Sequence, residues 1–474
     1  MGREITQVRF DPVDYTSFRE RVEAETRIFE TWWREGQFDR SAYMGGFELE
    51  AWLVDRECRP FPENEAYLKR LASPLVVPEL ARFNVELNGT PQRLAGRALR
   101  TLEDELVATW QRCQKAAQAL GGALAMIGIL PTVRERDLTL RNISPLNRYY
   151  ALNEQVLKRR GGRPIKLEIA GRERLALTHE DVMLEAGATS FQVHLQVPAD
   201  ELTRCFNASL VLAAPLVALS ANSPYLFEHD LWDETRIPLF EQAVDTGDAV
   251  EPGEHRVTFG SGYLESGPRE SFVENLERYP VLLPAHFDSA PEELCHMSLH
   301  NGTIWRWNRL LLGFSGAGVP HVRIEHRVMP AGPTIIDMMA NAAVYFGAVR
   351  ALAGRRVAPE AELSFEAART NFYAAARDGL AARFAWLDGR KAGAAELLEA
   401  EILPLAREGL LQYRVDPEDV DRYLGLAAAR VRKGQNGTAW QRAFIAAHGR
   451  HFSRLTAAYL EHQGSGRPVH EWPI

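Results

Sequence analysis

This chain of 474 residues has few cysteines, no net basic charge and no long uninterrupted apolar run. The four cysteines stand far apart and form no Cys-x-x-Cys pair, which favours buried thiols in a reducing cytosol. The formal net charge of −8 argues against a general binder of nucleic acids or anionic membranes, because both need a basic surface. No basic-then-apolar leader and no uninterrupted apolar run of membrane-spanning length is visible, so we expect a cytoplasmic protein without a membrane partner.

What is present is an ordinary globular composition, 46% hydrophobic and 25% charged, in a chain long enough for a large core. Apolar residues three and four apart predict an opening helix over "DYTSFRERVEAETRIFETWWREG". β-type alternation then dominates, interrupted by helices, until about Pro333, after which the pattern predicts Ala-rich helices. We therefore predict an α+β fold, with a catalytic body over residues 1–350 and a helical section over residues 351–474 that is either separate or integral to the same domain.

Several predicted strands carry unusual polar residues on one face. In a strand, residues two apart share a face, so Glu48 and Glu50 in "FELEAWL" lie opposite Phe47 and Leu49. Four more segments show the same alternation: Asn84, Glu86 and Asn88 in "FNVELNG", Gln192 and His194 in "TSFQVHLQV", Arg323, Glu325 and Arg327 in "HVRIEHRV", and Lys166 and Glu168 in "IKLEIA".

Two interpretations of these faces remain open. Each strand by itself is typical of an antiparallel strand with a core side and a solvent side. Solvent faces, however, rarely collect Glu, His, Gln and Arg together, and paired carboxylates repel unless a positive group lies between them. Two same-face carboxylates are about 7 Å apart at Cα, so their oxygens can reach a shared cation. Since Mg²⁺ commonly combines one or two carboxylates with substrate phosphates, the alternative is a Mg²⁺–nucleotide site.

The order of these segments resembles the glutamate–cysteine ligase family, in the carboxylate–amine ligase branch of plants and proteobacteria. The resemblance rests on "FELE", "VELNGTP", "TSFQVH", "ANSP…DETR" and "RIEHR", which occur in the family's order between residues 45 and 341. It implies a glutamine-synthetase-like fold, in which a curved antiparallel sheet flanked by helices forms a funnel that holds ATP and Mg²⁺.

The resemblance also implies roles for individual residues. The implied metal ligands are Glu48, Glu50, Glu86, His194 and Glu325, with a phosphate contact as the other role for His194 and Glu79 as a further carboxylate. The implied catalytic and ATP-binding residues are Arg327 and Arg323. The implied substrate-binding residues are Arg236, Thr90, Asn88 and Gln192, and Arg236 would clamp the α-carboxylate of a glutamate-like donor.

Two departures from the family concern the amine acceptor. The family's Gly-Thr-His-Pro corresponds here to "GILP", residues 128–131, without a histidine, and Phe240 stands where a tryptophan is expected. The leading hypothesis is an ATP-dependent γ-glutamyl ligase that uses cysteine and forms an acyl phosphate. A ligase for another carboxylate and amine is the second hypothesis, and a metal-dependent hydrolase or non-catalytic metabolite-binding relative is the third. We expect small-molecule substrates, and a homodimer is compatible with the sequence.

Two other motifs are predicted to be structural. His296 and His300 in "HMSLH" stand four apart, but no glutamate completes a His-Glu-x-x-His motif, so packing or surface roles are expected. The tryptophans in "TIWRWNR" are expected in the core or at an interface.

Overall fold

The computed structural model describes residues 4–41, 43–247 and 255–474. The α-helices are α1 Pro12–Arg34, α2 Asn64–Leu71, α3 Ala98–Gln118, α4 Asn147–Arg159, α5 Leu202–Ser220, α6 Arg236–Ala243, α7 Arg269–Arg278, α8 Cys295–Gly302, α9 Ile335–Ala353, α10 Pro359–Glu362, α11 Phe365–Asp378, α12 Ala394–Leu397, α13 Leu403–Gln412, α14 Pro417–Lys433, α15 Gly437–His448 and α16 Phe452–Ser465. The strands are β1 Met44–Val54, β2 Val76–Pro78, β3 Asn84–Asn88, β4 Gln92–Arg93, β5 Ala123–Ala125, β6 Ile165–Ala170, β7 Arg174–His179, β8 Phe191–Gln196, β9 Tyr225–Leu226, β10 His229–Asp230, β11 Val257–Thr258, β12 Trp305–Arg306, β13 Asn308–Phe314, β14 Pro320–His326, β15 Arg383–Ala385 and β16 Lys391–Gly393.

The predicted opening helix is confirmed as α1. Asp11 and Asp14 form a reciprocal capping box at its start, and Pro12 occupies the first turn, where its missing N–H costs nothing. The side chains of Phe18, Val22 and Phe29 are buried along one face. Residues four and seven positions apart lie on the same face of a helix with 3.6 residues per turn, so α1 turns this face to the core.

A curved antiparallel sheet of eight strands forms the centre of the fold, as predicted. Its strand order is β13-β14-β8-β1-β3-β2, with β4 and β5 also paired to β1, and it curls into a half barrel. Glu50 lies opposite Glu86 across β1 and β3, and Glu325 lies opposite His194 across β14 and β8. Because residues opposite each other point to the same side of a sheet, this register gathers the polar faces of four strands into one.

The other face of the sheet belongs to the core. Phe47, Leu49 and Val193 are at most 4% exposed, and this face packs against α5 and α9. Burial of one such side chain stabilises the fold by about 1.5–3 kcal/mol. The carboxylates on the opposite face are therefore held on strands whose apolar sides are anchored.

One of the five segments with a predicted polar face does not join the central sheet. β6, the "IKLEIA" segment, pairs only with β7 in a separate hairpin, and Lys166 and Glu168 on it are exposed. Here the solvent-face interpretation is correct, and the segment contributes nothing to the polar face of the central sheet.

Two helical stretches, each interrupted by polar residues, bear on the expectation about uninterrupted apolar runs without contradicting it. Two helices are long and apolar enough to cross a membrane, over residues 199–220 and 335–353. However, 89% and 83% of these stretches are buried inside the protein, because α5 and α9 support the central sheet. They are core helices.

The C-terminal helices contact the body of the protein. The proposed boundary at residue 350 falls within α9, and α13 and α14 pack directly against that helix. From α16, Tyr459 donates a hydrogen bond to the carbonyl of Met126 at 2.7 Å, and Gln463 accepts one from the amide of Met126 at 2.7 Å. These bonds tie α16 to the backbone at the end of β5. The division into two sections stays a prediction.

Candidate active site

A cavity of about 350 Å³ lies over the polar face of the central sheet. Its floor comes from β1, β3, β8, β13 and β14, and its walls from α4, α8 and a short 3-10 segment, Val182–Gly187. The lining is rich in charged groups: the carboxylates Glu48, Glu50, Glu79, Glu86, Glu185 and Glu293, and the guanidinium groups Arg148, Arg309, Arg323 and Arg327. Most sequence-predicted site residues thus meet at one place.

A candidate metal cluster lies at the floor of this cavity. One ligand atom each from Glu48, His194 and Glu325 lies within 4.8 Å of the others. His194 Nε2 is 3.6 Å from Glu48 Oε1 and 3.8 Å from Glu325 Oε1. This buried nitrogen has no hydrogen-bond partner among the described residues, although buried polar atoms are nearly always paired. A cation or a substrate group between these side chains fits the cluster.

The proton position on His194 bears on its role. Nδ1 accepts a hydrogen bond from Arg323 Nε at 3.1 Å, and burial lowers the pKa of the imidazole to about 4. A neutral imidazole that accepts at Nδ1 carries its proton on Nε2. In this arrangement Nε2 is a donor, which favours a contact with a phosphate oxygen, whereas the carboxylates of Glu48 and Glu325 suit Mg²⁺.

Three further carboxylates face one another across the cavity. Burial and the neighbouring Glu79 raise the pKa of Glu50 to about 7, even though Ser190 N and Gln192 Nε2 each donate to it at 2.7 Å. Burial, with Glu48 and Glu79, raises the pKa of Glu86 well above its usual range. Burial, with Glu79 and Glu50, does the same for Glu185. Such repulsion is relieved by a bound cation, so this part of the cavity suits positive charge.

Arginines dominate the β13–β14 side. Arg309 forms a two-pronged ion pair with Glu325, at 2.8 and 3.1 Å, and Arg327 Nη1 lies 3.1 Å from the same carboxylate and also donates to Gln192. Burial opposes ionisation of Glu325, but Arg309 and Arg327 outweigh it and hold its pKa well below the usual range. Gln192, which accepts from Arg327, donates in turn to Glu50. One hydrogen-bonded network therefore joins the arginine side to the carboxylate side.

Three predicted substrate-binding residues do not line the cavity. Arg236 is buried, and its Nε donates to Glu234 at 3.1 Å. Thr90 is exposed and donates to Glu105 through both its amide and its hydroxyl. Asn88 donates to Glu86 at 2.9 Å, on the edge of the site. Gln192 does line the cavity. The substrate-binding roles of all four stay predictions.

The residues at the two family departures also lie off the cavity. Residues 128–131 are buried, and the carbonyl of Gly128 accepts from Thr189 N at 2.9 Å. Phe240 is 6% exposed and packs edge-on against Trp305, which lines the cavity, and Trp307, which is core. Of these two ring contacts, the one with Trp305 connects Phe240 to the cavity wall.

The histidines of "HMSLH" are confirmed as packing residues. On α8, His296 Nδ1 lies 2.6 Å from the buried carboxylate of Glu25, and His300 Nε2 lies 2.9 Å from the carbonyl of Asn275. The two rings therefore have different partners. Glu25 also accepts from Met297 N at 2.7 Å, so α1 anchors the start of the helix that walls the cavity.

Sequence reasoning missed three functional candidates: Arg309, Arg148 and Glu185. Arg309 had a usable signal, because "NRLLLGF" and "HVRIEH" flank a Gly-rich turn and form the β13–β14 hairpin, which places Arg309 opposite Glu325. Arg148 on α4 and Glu185 on the 3-10 segment lie outside the strands and carry no such pattern.

Comparisons with known proteins agree with this geometry. A family model described as glutamate–cysteine ligase family 2 matches residues 44–458. Glutamate–cysteine ligase from Francisella tularensis, solved in complex with AMP, aligns over 92% of this chain and 91% of its own, with a TM-score of 0.56 at 11% identity. A bifunctional glutathione synthetase from Pasteurella multocida aligns over 93% of this chain and 55% of its own, with a TM-score of 0.52 at 14% identity. Comparison with curated protein sequences gave no match.

Fold, site and family model together define an ATP-dependent carboxylate–amine ligase. At these identities the solved structures establish the fold, and the family model, which spans most of the chain, establishes the relationship. The chain belongs to glutamate–cysteine ligase family 2.

Proposed function

We propose that the protein joins the γ-carboxylate of glutamate to the amine of cysteine, with ATP hydrolysed to ADP and phosphate through an acyl phosphate. The observation that carries the proposal is the cavity floor, where Glu48, His194 and Glu325 meet beside Arg323 and Arg327. Carboxylates that hold a hard cation, next to guanidinium groups that bind phosphate oxygens, suit transfer of the ATP γ-phosphoryl group.

The chemistry proceeds in two displacements. A γ-carboxylate oxygen of glutamate attacks the γ-phosphorus, and the bond to ADP breaks. The amine nitrogen then attacks the acyl carbon, inorganic phosphate leaves with the former carboxylate oxygen, and the nitrogen loses a proton. Hydroxide is a poor leaving group and phosphate a good one, which is why ATP is required.

The protein's contribution is positioning and charge. Arg327, held by Glu325 and Gln192, and Arg323, held by His194, face the cavity with ordered guanidinium groups for the phosphates. Nε2 of His194 donates to a phosphate oxygen. Glu48, Glu50, Glu86 and Glu325 would hold Mg²⁺, which when bound neutralises phosphate charge.

Release of ADP tests the proposal. Purified protein with Mg²⁺, ATP and L-glutamate should release ADP only when L-cysteine is added, and mass spectrometry should detect γ-glutamylcysteine. With hydroxylamine in place of cysteine, the acyl phosphate should be trapped as the hydroxamate. ADP that requires a different amine or acid would keep the ligase class and refute the substrates. ADP without any amine would refute ligation and indicate a hydrolase.

A matched pair of variants ties the activity to the cavity. Glu48→Gln removes a carboxylate from the site and should lower kcat/KM more than about 100-fold, because metal-linked charge stabilisation is worth several kcal/mol. Glu168→Gln makes the same change at an exposed position of β6 and should leave kcat/KM unchanged. Equal effects of the two variants would contradict the assignment.

A further inference from the structure

Gln192 lies between two opposite charges at the cavity floor. Its Oε1 accepts from Nη1 of Arg327, and its Nε2 donates to Glu50 Oε1 at 2.7 Å. Gln192 is only 2% exposed, so little water competes for either contact. A guanidinium group only donates hydrogen bonds and a carboxylate only accepts them. The two partners therefore fix the direction in which the amide faces.

Arg327 keeps donors for a ligand while Gln192 holds it. Within the described residues, its guanidinium group donates through Nη1, to Gln192 and to Glu325, the latter at 3.1 Å. The buried Nε has no hydrogen-bond partner in the same part of the chain. Because Arg327 lines the cavity, its remaining donors can meet a phosphate group there.

Glu50 is fixed from the other side. Its second oxygen accepts from the amide of Ser190 at 2.7 Å, which ties the carboxylate to the residue before β8. Burial and Glu79 raise the pKa of Glu50, and Arg327 opposes that rise because the two charges attract each other past the amide of Gln192. One amide group thus separates a carboxylate that suits a cation from a guanidinium group that suits a phosphate.

We infer that Gln192 is a positioning residue, a neutral spacer that orients Arg327 toward the transferred phosphoryl group and keeps it from pairing directly with Glu50. The inference rests on the proposed function. Opposite charges attract strongly in a buried site, and a direct ion pair of Arg327 with Glu50 would neutralise both groups. Glutamine suits the role of spacer, because its amide bonds to both partners and adds no charge of its own.

Gln192→Met removes both contacts at nearly constant side-chain length. Arg327 then loses one of its two partners and can turn toward Glu50, so kcat should fall by about tenfold while KM for the donor acid stays unchanged. A raised KM for the donor acid would mean that Gln192 acts by contacting the substrate, and it would overturn the inference.

Nucleotide binding reports the position of Arg327 without turnover. Calorimetry with Mg²⁺ and either ADP or a non-hydrolysable ATP analogue measures the preference for a third phosphate. Gln192→Met should reduce that preference by about tenfold, as expected from the loss of one hydrogen bond to a charged group. An unchanged preference overturns the inference. If the wild type binds the analogue but forms no amide, the proposed function fails, while this measurement still decides the role of Gln192.

Gln192→Glu tests the need for a neutral bridge. In the wild-type background it places two carboxylates together and should lower the midpoint of urea unfolding at pH 8. In a Glu50→Gln background it should raise that midpoint, because the new carboxylate accepts from both Arg327 and the new amide. In both backgrounds Arg327 is paired with a charge, so the preference for a third phosphate should fall by about tenfold. Midpoint changes of the same sign in both backgrounds, or an unchanged preference, would overturn the inference.

Gln463→Met is the matched structural control. Gln463 is 5% exposed, and its amide also bridges two partners, accepting from Met126 N at 2.7 Å and donating to the carbonyl of Leu124 at 3.2 Å. It belongs to α16 and does not line the cavity. Its substitution should lower the melting temperature about as much as Gln192→Met does and leave kcat and the nucleotide preference unchanged. If Gln192→Met lowers only the melting temperature, Gln192 is purely structural and the inference is wrong.

Discussion

Replacing Glu50 with glutamine should abolish catalysis and yet stabilise the protein at alkaline pH. Glutamine has the same size, and the strand around it is anchored by the buried side chains of Phe47 and Leu49. What changes is a negative charge that burial and Glu79 disfavour. Active-site residues are commonly held at such a cost to stability.

The magnitude follows from the pKa of Glu50, which rises from its ordinary 4.5 to about 7 in the folded protein. A raised carboxyl pKa means that the folded state binds the proton more tightly, so stability is greatest below pH 4.5, falls as pH rises and levels off above about pH 7. At 1.36 kcal/mol per pKa unit, ionised Glu50 costs about 3 kcal/mol at pH 8 and less than about 1 kcal/mol at pH 5.

The substitution also has a cost of its own. Ser190 N and Gln192 Nε2 both donate to Glu50, and the glutamine amide can accept only one of these bonds, which loses about 1 kcal/mol. The two effects nearly cancel at pH 5. At pH 8 the metal-free Glu50→Gln protein should be more stable than the wild type by about 2 kcal/mol.

Urea denaturation in metal-free buffer at pH 5 and pH 8 measures this difference, and ADP release measures the loss of activity. A variant that is less stable than the wild type at both pH values would refute the reasoning about charge repulsion. A variant that keeps full ligase activity would refute the assignment of Glu50 to the metal site.

Three further predictions concern the surrounding fold. Burial raises the pKa of Glu241 to about 7 although Trp307 and Tyr373 donate to it, so wild-type stability should fall relative to Glu241→Gln between about pH 4.5 and 7, as urea titrations would show. Tyr459→Phe removes a hydroxyl that serves two buried partners and should cost about 1–3 kcal/mol in the same assay. Leu49→Ala, on the apolar face of β1, should cost about 2–5 kcal/mol, and an effect below 1 kcal/mol would mean that this face is not a packed core.

The polar strand faces were predictable because alternation is a local property. Cβ atoms on successive strand residues point to opposite sides, so the positions of Glu48, Glu50, Glu86 and Glu325 relative to their apolar neighbours follow from the sequence. The order of the segments along the chain was then enough to recognise the resemblance to the family. The same local rule could not separate β1 from β6, because both alternate and only β1 joins the central sheet.

The sequence alone could not predict which groups each arginine contacts. "DETR" places Glu234 two residues from Arg236, but the carbonyls that Arg236 also binds come from residues 327 and 328, about ninety positions away. Strand pairing places Arg309 in the site, opposite Glu325. Arg148 lies on α4, a helix that forms part of the cavity wall. The sequence by itself determined which side chains share a face, because backbone geometry sets that over a few residues. Only the tertiary structure decided which groups are buried together. Burial raises the pKa of Glu50, and folding brings Arg236 to the carbonyl of Arg327. The raised pKa and this hydrogen bond both depend on contacts between distant parts of the chain.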